Sequence, residues 1–222
     1  MVEINMAALI EIFKRIELYK WIIIISAILT VLPKNGKWIK YDYVIFILMV
    51  FFCELIFTYY ARPYFWPTNY PAYNIYTILV CVGYMYFFLN CFRKHPYFYL
   101  ALAICLMWLI ASVYFFFADF DPTKVNIRAY HIGLLLSACL AFWYVYDLIF
   151  IQPYKNIFQQ PLFYLALGII LFYFSAFLIL NFIHLMVANE NASTEIKEIL
   201  QKGNIILSLG YLGMAICMRK EI

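Results

Sequence analysis

Charge is scarce in this chain: Asp, Glu, Lys and Arg make up 13% of its 222 residues, against 67% hydrophobic residues. Soluble domains carry roughly twice that share of charge, so a water-facing globule is excluded. Histidine is scarcer still. His95, His131 and His184 are the three in the chain, they stand far apart, and none forms a HExxH or Glu-x-x-His pair. The six cysteines make no CxxC pair and fall within or at the ends of apolar runs, where they read as small buried hydrophobes rather than ligands or disulfide partners. No metal site and no cofactor is therefore expected. A GxSxG nucleophile elbow, a glycine-rich phosphate loop and paired catalytic carboxylates are also missing, and so is any block of basic residues. The chain is expected to be neither an enzyme nor a nucleic-acid binder.

Long apolar runs take the place of these features. Eighteen residues rising about 1.5 Å each cover most of a hydrocarbon core of roughly 30 Å, and runs of that order recur along the whole sequence. The expected fold is an all-α polytopic membrane helix bundle of about seven transmembrane helices, a single transmembrane domain over residues 1–222. An amphipathic first helix is expected over 4–32, with further spans over about 43–60, 72–92, 97–117, 130–151, 161–186 and 204–218. If the first helix lies flat on the membrane, the number is six. Breaks between the runs carry turn chemistry: Asn35-Gly36 among three lysines, the proline- and aromatic-rich Ala61 to Pro71, Arg93-Lys94-His95-Pro96, Asp121-Pro122, and Pro161 in the first turn of the sixth span. The hydrophilic stretch Ala188 to Lys202 reads as a short surface helix separate from the last span.

Two acids interrupt this apolar pattern. Glu54 sits in VIFILMVFFCELIFTYY after Tyr43, and Asp147 lies in the fifth span. A carboxyl group facing lipid at that depth costs roughly 2.5–3.5 kcal/mol on insertion scales, so both acids are expected to face a common polar interior. Thr58 lies one turn beyond Glu54. Asn74 opens a mildly polar stripe on the third span, and Asn181 and His184 are one turn apart near the end of the sixth. Gly168 and Ser175, and Gly203 and Gly210 on the last span, form small-residue stripes of the kind that let helices approach closely.

Lysines and arginines divide eight against eight between the two faces of such a bundle, so the positive-inside count alone decides nothing. The compact basic clusters Lys34/Lys37/Lys40, Arg93/Lys94 and Arg219/Lys220 mark one face as cytoplasmic. That arrangement puts the N-terminus outside and the C-terminus inside.

The ordered features ELYKWIIIISAILTVL at Glu17 to Leu32, Glu54 in the second span, NIYTILV at Asn74 to Val80, QPLFYLALGIILFYFSAF at Gln160 to Phe177 and GNIILSLGYLGMAICMRK at Gly203 to Lys220 form a pattern. The chain resembles small seven-span bacterial membrane proteins of uncharacterised function, some of them encoded near two-component sensor kinases. The resemblance implies a bacterial inner membrane and a sensory or accessory role, and supplies no catalytic residue. The expected function is that of a receptor-like or partner-binding membrane protein with an intramembrane polar site. The alternative is an oligomeric channel or pore-forming accessory protein, for example of a prokaryotic defence system. A transporter ranks lower, because no internal repeat is visible. Besides membrane lipid, the partners to expect are a membrane or cytoplasmic protein, or further copies of the chain.

Overall fold

In the computed structural model the described residues are 17–33, 40–54, 70–118, 127–151, 156–186 and 190–221. The side chains of 70–73, 127, 128, 175, 177–186, 190–197 and 221 lie outside that description. Among the described residues there are seven α-helices and no strand: α1 (Leu18–Val31), α2 (Tyr41–Phe51), α3 (Tyr70–Cys91), α4 (Phe98–Ala118), α5 (Ile127–Tyr146), α6 (Pro161–Met186) and α7 (Glu190–Glu221). Helix is what such sequences must form. Apolar surroundings offer backbone N–H and C=O groups no partner, so each segment satisfies its own. Side-chain hydroxyls follow the same rule. Ser26, Thr30, Ser137 and Ser208 each donate to the carbonyl one turn back, at 2.6–2.8 Å.

Among the described residues, four stretches are long and apolar enough to cross a membrane: Asn74–Cys91, Phe98–Ala118, Ala129–Ile151 and Glu198–Lys220. Leu18–Val31 and Pro161–Phe174 are shorter apolar helices. The chain is a helical membrane protein with those four candidate crossings.

Helix boundaries differ from the sequence expectation in three places. The first helix begins at Leu18, and the expected part over 4–16 lies outside the described residues, as do 55–60 of the second span. Beyond Phe51, α2 continues as a looser π-type turn over 52–54, and α5 ends in another over Asp147–Ile151. The surface helix expected over Ala188 to Lys202 does not stand apart; it is the first part of α7, which runs unbroken for 32 residues. No proline interrupts that run, and Gly203 alone costs a helix about 1 kcal/mol, too little to stop it.

Helix α7 organises the packing. It lies against α6 on one side and α1 on the other. The side chain of Gln201 donates to Glu17 at 3.1 Å, and that of Arg219 donates to the Leu29 carbonyl at 3.2 Å. Residue numbers rise together along the two helices, so α1 and α7 run parallel. The α6–α7 contact is backbone on backbone: a Cβ at Gly210 would lie 2.9 Å from the Tyr164 carbonyl oxygen and 3.2 Å from the Gly168 Cα. Gly83 on α3 and Gly133 on α5 make room for rings instead, those of Phe46 and Trp108. Helix α4 is peripheral, buried only along Cys105, Trp108 and Ser112. No disulfide joins the six cysteines, all of them among the described residues, and Cys91 and Cys139 are exposed on helix surfaces rather than buried as expected.

Substituting Gly210→Val would force α6 and α7 apart along this seam, because the neighbour is backbone that cannot rotate away. A loss of about 1–3 kcal/mol is expected, read as a lower thermal unfolding midpoint of the purified protein. Gly83→Ala, which meets only the edge of a ring, is expected to cost less.

Candidate functional site

Glu54 occupies the π-type turn that follows α2, where the helix has widened and its carboxyl points into a cavity of about 40 Å³. Every helix except α4 contributes to the wall of this cavity. Five tyrosines line it: Tyr19 from α1, Tyr76 and Tyr84 from α3, Tyr130 from α5 and Tyr211 from α7. Asn204 and Ser208 add polar groups from α7, and Thr77 from α3.

The spacing explains how α3 and α7 supply so much of the wall. Tyr76, Thr77, Val80, Cys81 and Tyr84 recur at helical period, as do Asn204, Leu207, Ser208 and Tyr211, so each set occupies one face. Burial is graded along these faces. Tyr19, Glu54, Tyr76, Tyr130 and Asn204 at one end are partly exposed, whereas Thr77, Cys81, Tyr84, Ser208 and Tyr211 are buried.

The hydrogen bonding is graded in the same way. Toward the exposed end, the Tyr19 hydroxyl donates to Glu54 Oε2 at 3.4 Å, with the Tyr76 hydroxyl as a second partner of the same carboxyl. At the buried end the hydroxyls of Tyr84 and Tyr211 bond to each other. The Phe46 ring rests against both, with centroids 5.7 and 5.9 Å away. That ring can reach them because Gly83 has no side chain in its path.

A buried cation flanks the cavity. Lys20 on the first turn of α1 is 5% exposed, a degree of burial an ammonium tolerates only when paired. Its Nζ lies 3.1 Å from Glu17 Oε2 and 5.3 Å from the centre of the Tyr19 ring. Glu17 precedes α1. Partial burial pushes its carboxyl up, but the Lys20 ammonium, the Gln201 amide and the Tyr19 hydroxyl outweigh that and hold it below the usual carboxylate range.

Among the described residues beyond Tyr84 and Tyr211, Phe88, Leu165 and Met214 fill the bundle, each no more than 1% exposed, and the ring of the buried Tyr144 lies tilted against Phe88.

Of the residues expected at an interior site, Glu54 lines this cavity and Asp147 does not. Asp147 lies in the π-type turn at the far end of α5, seventeen residues past Tyr130 and so about 25 Å further along the helix axis. A shared interior for the two acids is thereby corrected: the helices that carry them present the acids at opposite ends of the bundle. Asn74 is partly buried on the first turns of α3 and does not line the cavity. Asn181 and His184 lie on α6, with side chains outside the description, as is that of Ser175; Thr58 lies outside the described residues altogether. Gly168 and Gly210 meet at the α6–α7 seam, and Gly203 is buried one turn before Leu207. No group of three or more metal-ligating side chains occurs among the described residues.

Sequence reasoning missed Lys20 and Tyr19, and while the polar stripes of the third and last spans include Tyr84 and Tyr211, it did not foresee that the two bond each other. Lys20 stands next to Trp21 at the start of an apolar run, where a lysine ordinarily snorkels to the membrane surface. The i,i+3 spacing of Glu17 and Lys20 was the available signal of pairing. The tyrosines were hidden by number, being five among twenty-one.

Searches against protein-family models, curated proteins and solved structures find no match to this chain.

Removing one hydroxyl of the buried pair strands the other. Tyr84→Phe and Tyr211→Phe are each expected to lower stability by about 1–3 kcal/mol. The double variant should lose clearly less than the sum of the two. Thermal or denaturant unfolding of the four proteins measures the coupling, and strict additivity would mean that the two hydroxyls do not depend on each other.

Proposed function

We propose that this chain is a receptor-like or partner-binding membrane protein of seven spans whose ligand site is the Glu54 cavity. The observation that carries the reading is the convergence of a carboxyl group, hydroxyls and an amide on one interior space, beyond which fully buried Phe88, Leu165 and Met214 fill the bundle. Such a space can hold a ligand. Conduction through a single chain would need polar lining from face to face, so the channel reading would have to place its pore between copies.

The parallel course of α1 and α7 supports seven crossings, because helices that alternate in direction bring the first and seventh into the same sense. The exposed Lys40, Arg93, Lys94 and Lys220 at the end away from Glu54 support the orientation with the N-terminus outside and the C-terminus cytoplasmic. In a bacterial inner membrane the cavity would then lie toward the outer face, and a basic cytoplasmic face would be left for a protein partner. Binding at Glu54 can reach that face through α7, a single helix lined on the way by Tyr211 and ending at Arg219, whose guanidinium holds the end of α1.

Two measurements test this reading. Purified protein in liposomes is expected to pass no ions, with the same baseline for Glu54→Gln; flux abolished by that substitution would overturn the receptor reading in favour of the pore. In intact cells, a cysteine placed at Lys220 is expected to resist a membrane-impermeant thiol reagent added from outside, and rapid labelling from outside would reverse the orientation.

A further inference from the structure

A second cleft opens at the end of the bundle away from Glu54, where α6 begins, α7 ends and a single tight turn (Ile157–Gln159) precedes Pro161. Phe158, Gln159, Gln160, Gly213, Ile216 and Lys220 line it. The turn is fastened to both helices. The Tyr164 hydroxyl donates to the Phe158 carbonyl at 3.0 Å, the Cys217 thiol reaches the same oxygen at 3.8 Å, and the Asn156 side chain accepts from the Phe158 N–H at 3.1 Å. Gly213 leaves room for the Tyr164 ring, which an added Cβ would meet at 2.7 Å. With its backbone held in this way, Phe158 presents its ring 70% exposed.

The wall has two chemistries. Lys220, Gln159 and Gln160 bring an ammonium and two amides, whereas Phe158, Ile216 and the Tyr164 ring bring apolar surface. Among the described residues no carboxylate lines the cleft. The chain between Ile151 and Asn156 reads Gln-Pro-Tyr-Lys and holds no acid, and Glu221 stands about 100° further round α7 than Lys220. Depth decides what can cover both halves. The apolar helix Pro161–Phe174 starts here and the stretch Glu198–Lys220 ends here, so the cleft sits where the bundle leaves the hydrocarbon layer. From it the α6–α7 seam leads inward, flanked by exposed Leu167 and Leu209, which share helix faces with Tyr164 and Gly213. A free anion would cover the ammonium and leave this apolar track bare, and a soluble protein could not follow the track into the membrane. An amphiphile with a negative head covers both. We infer that this cleft binds one anionic phospholipid, its phosphate held by Lys220 with the amides of Gln159 and Gln160 and an acyl chain laid along the seam past Gly213 toward Leu209. Basic pockets between helices at headgroup depth hold lipid phosphates by the same attraction. The site is separate from the Glu54 cavity, and the inference depends neither on the receptor reading nor on which face is cytoplasmic.

The test is the thermal unfolding midpoint of the purified full chain in dodecyl maltoside micelles, titrated with phosphatidylglycerol, with phosphatidylcholine of the same acyl chains, or with glycerol phosphate. A ligand of the native state raises the midpoint saturably. Phosphatidylglycerol is expected to do so at a lower concentration than phosphatidylcholine, and glycerol phosphate, which has no chain, to leave the midpoint unchanged. Lys220→Gln is expected to raise the half-saturating concentration of phosphatidylglycerol about fivefold. Gln159→Glu, which sets a carboxylate beside the phosphate, should raise it at least as far. Lys94→Gln removes an exposed lysine at the same end of the bundle but outside the cleft, and should leave it unchanged. Equal responses to the two lipids, a shift with glycerol phosphate alone, no effect of Lys220→Gln, or an effect of Lys94→Gln as large as that of Lys220→Gln overturns the inference. Lys220 and Gln159 are both exposed, so neither substitution removes a packed side chain. Should Lys220→Gln nonetheless fail to fold, Gln159→Glu decides, and an unchanged half-saturation for it overturns the inference as well.

Discussion

A carboxyl group inside a hydrocarbon layer has no partner unless the protein brings one, and the arrangement of this bundle follows from that constraint at Glu54. The α-helix opens into a π-type turn at residues 52–54, which turns the carboxyl away from the outer surface. Tyr19 and Tyr76 then approach from two other helices to bond it. Neither tyrosine could do so if α1 and α3 were not both pressed against the end of α2. That packing depends in turn on α7 seating between α6 and α1, and the α6 side of that seat exists because Gly168 and Gly210 let two backbones touch. Polar satisfaction and glycine packing are therefore one arrangement, not two.

Lys20 extends this logic to the rim. A buried ammonium and a buried carboxylate are each expensive to take out of water, and a pair is repaid only when the geometry is good and the remaining donors are used. Here the ammonium has Glu17 at 3.1 Å and the face of Tyr19 at 5.3 Å, while Gln201 ties Glu17 to α7. Two helices, α1 and α7, meet in this cluster. Its role in holding α1 parallel to α7 is at least as important as any direct effect on Glu54, because Arg219 at the opposite end makes a single comparable tie, to the Leu29 carbonyl.

The all-α class and the positions of most helices are legible in the sequence because the signals for them are local. A run of apolar residues is a helix at any membrane depth, and Pro161 starts one wherever it stands. Glu54 was legible for the same reason, as the lone acid in the eighteen-residue run 43–60. Whatever depended on which helices touch was not legible. Nothing in the spacing of Asp147 distinguishes an acid facing the cavity from one at the far end of α5, since register along a helix does not fix its height against another. The convergence of the tyrosines was invisible on similar grounds: Tyr19, Tyr76 and Tyr130 come from three helices and each alone reads as packing or as an interfacial anchor, while Tyr211 reads as one member of a polar stripe on its own helix. The continuity of α7 through Gly203 was missed because polarity was taken for a boundary, whereas a helix leaving the membrane needs only a change of face.

The cavity ends at a pair of tyrosines. Tyr84 and Tyr211 share one hydrogen bond between their hydroxyls, and Phe88, Leu165 and Met214 pack beyond them with almost no exposure. On the receptor reading proposed above, a ligand would be the last partner this lining requires, and a signal from Glu54 would travel as a shift of α7 against α1 and α6, through the Gly210 seam.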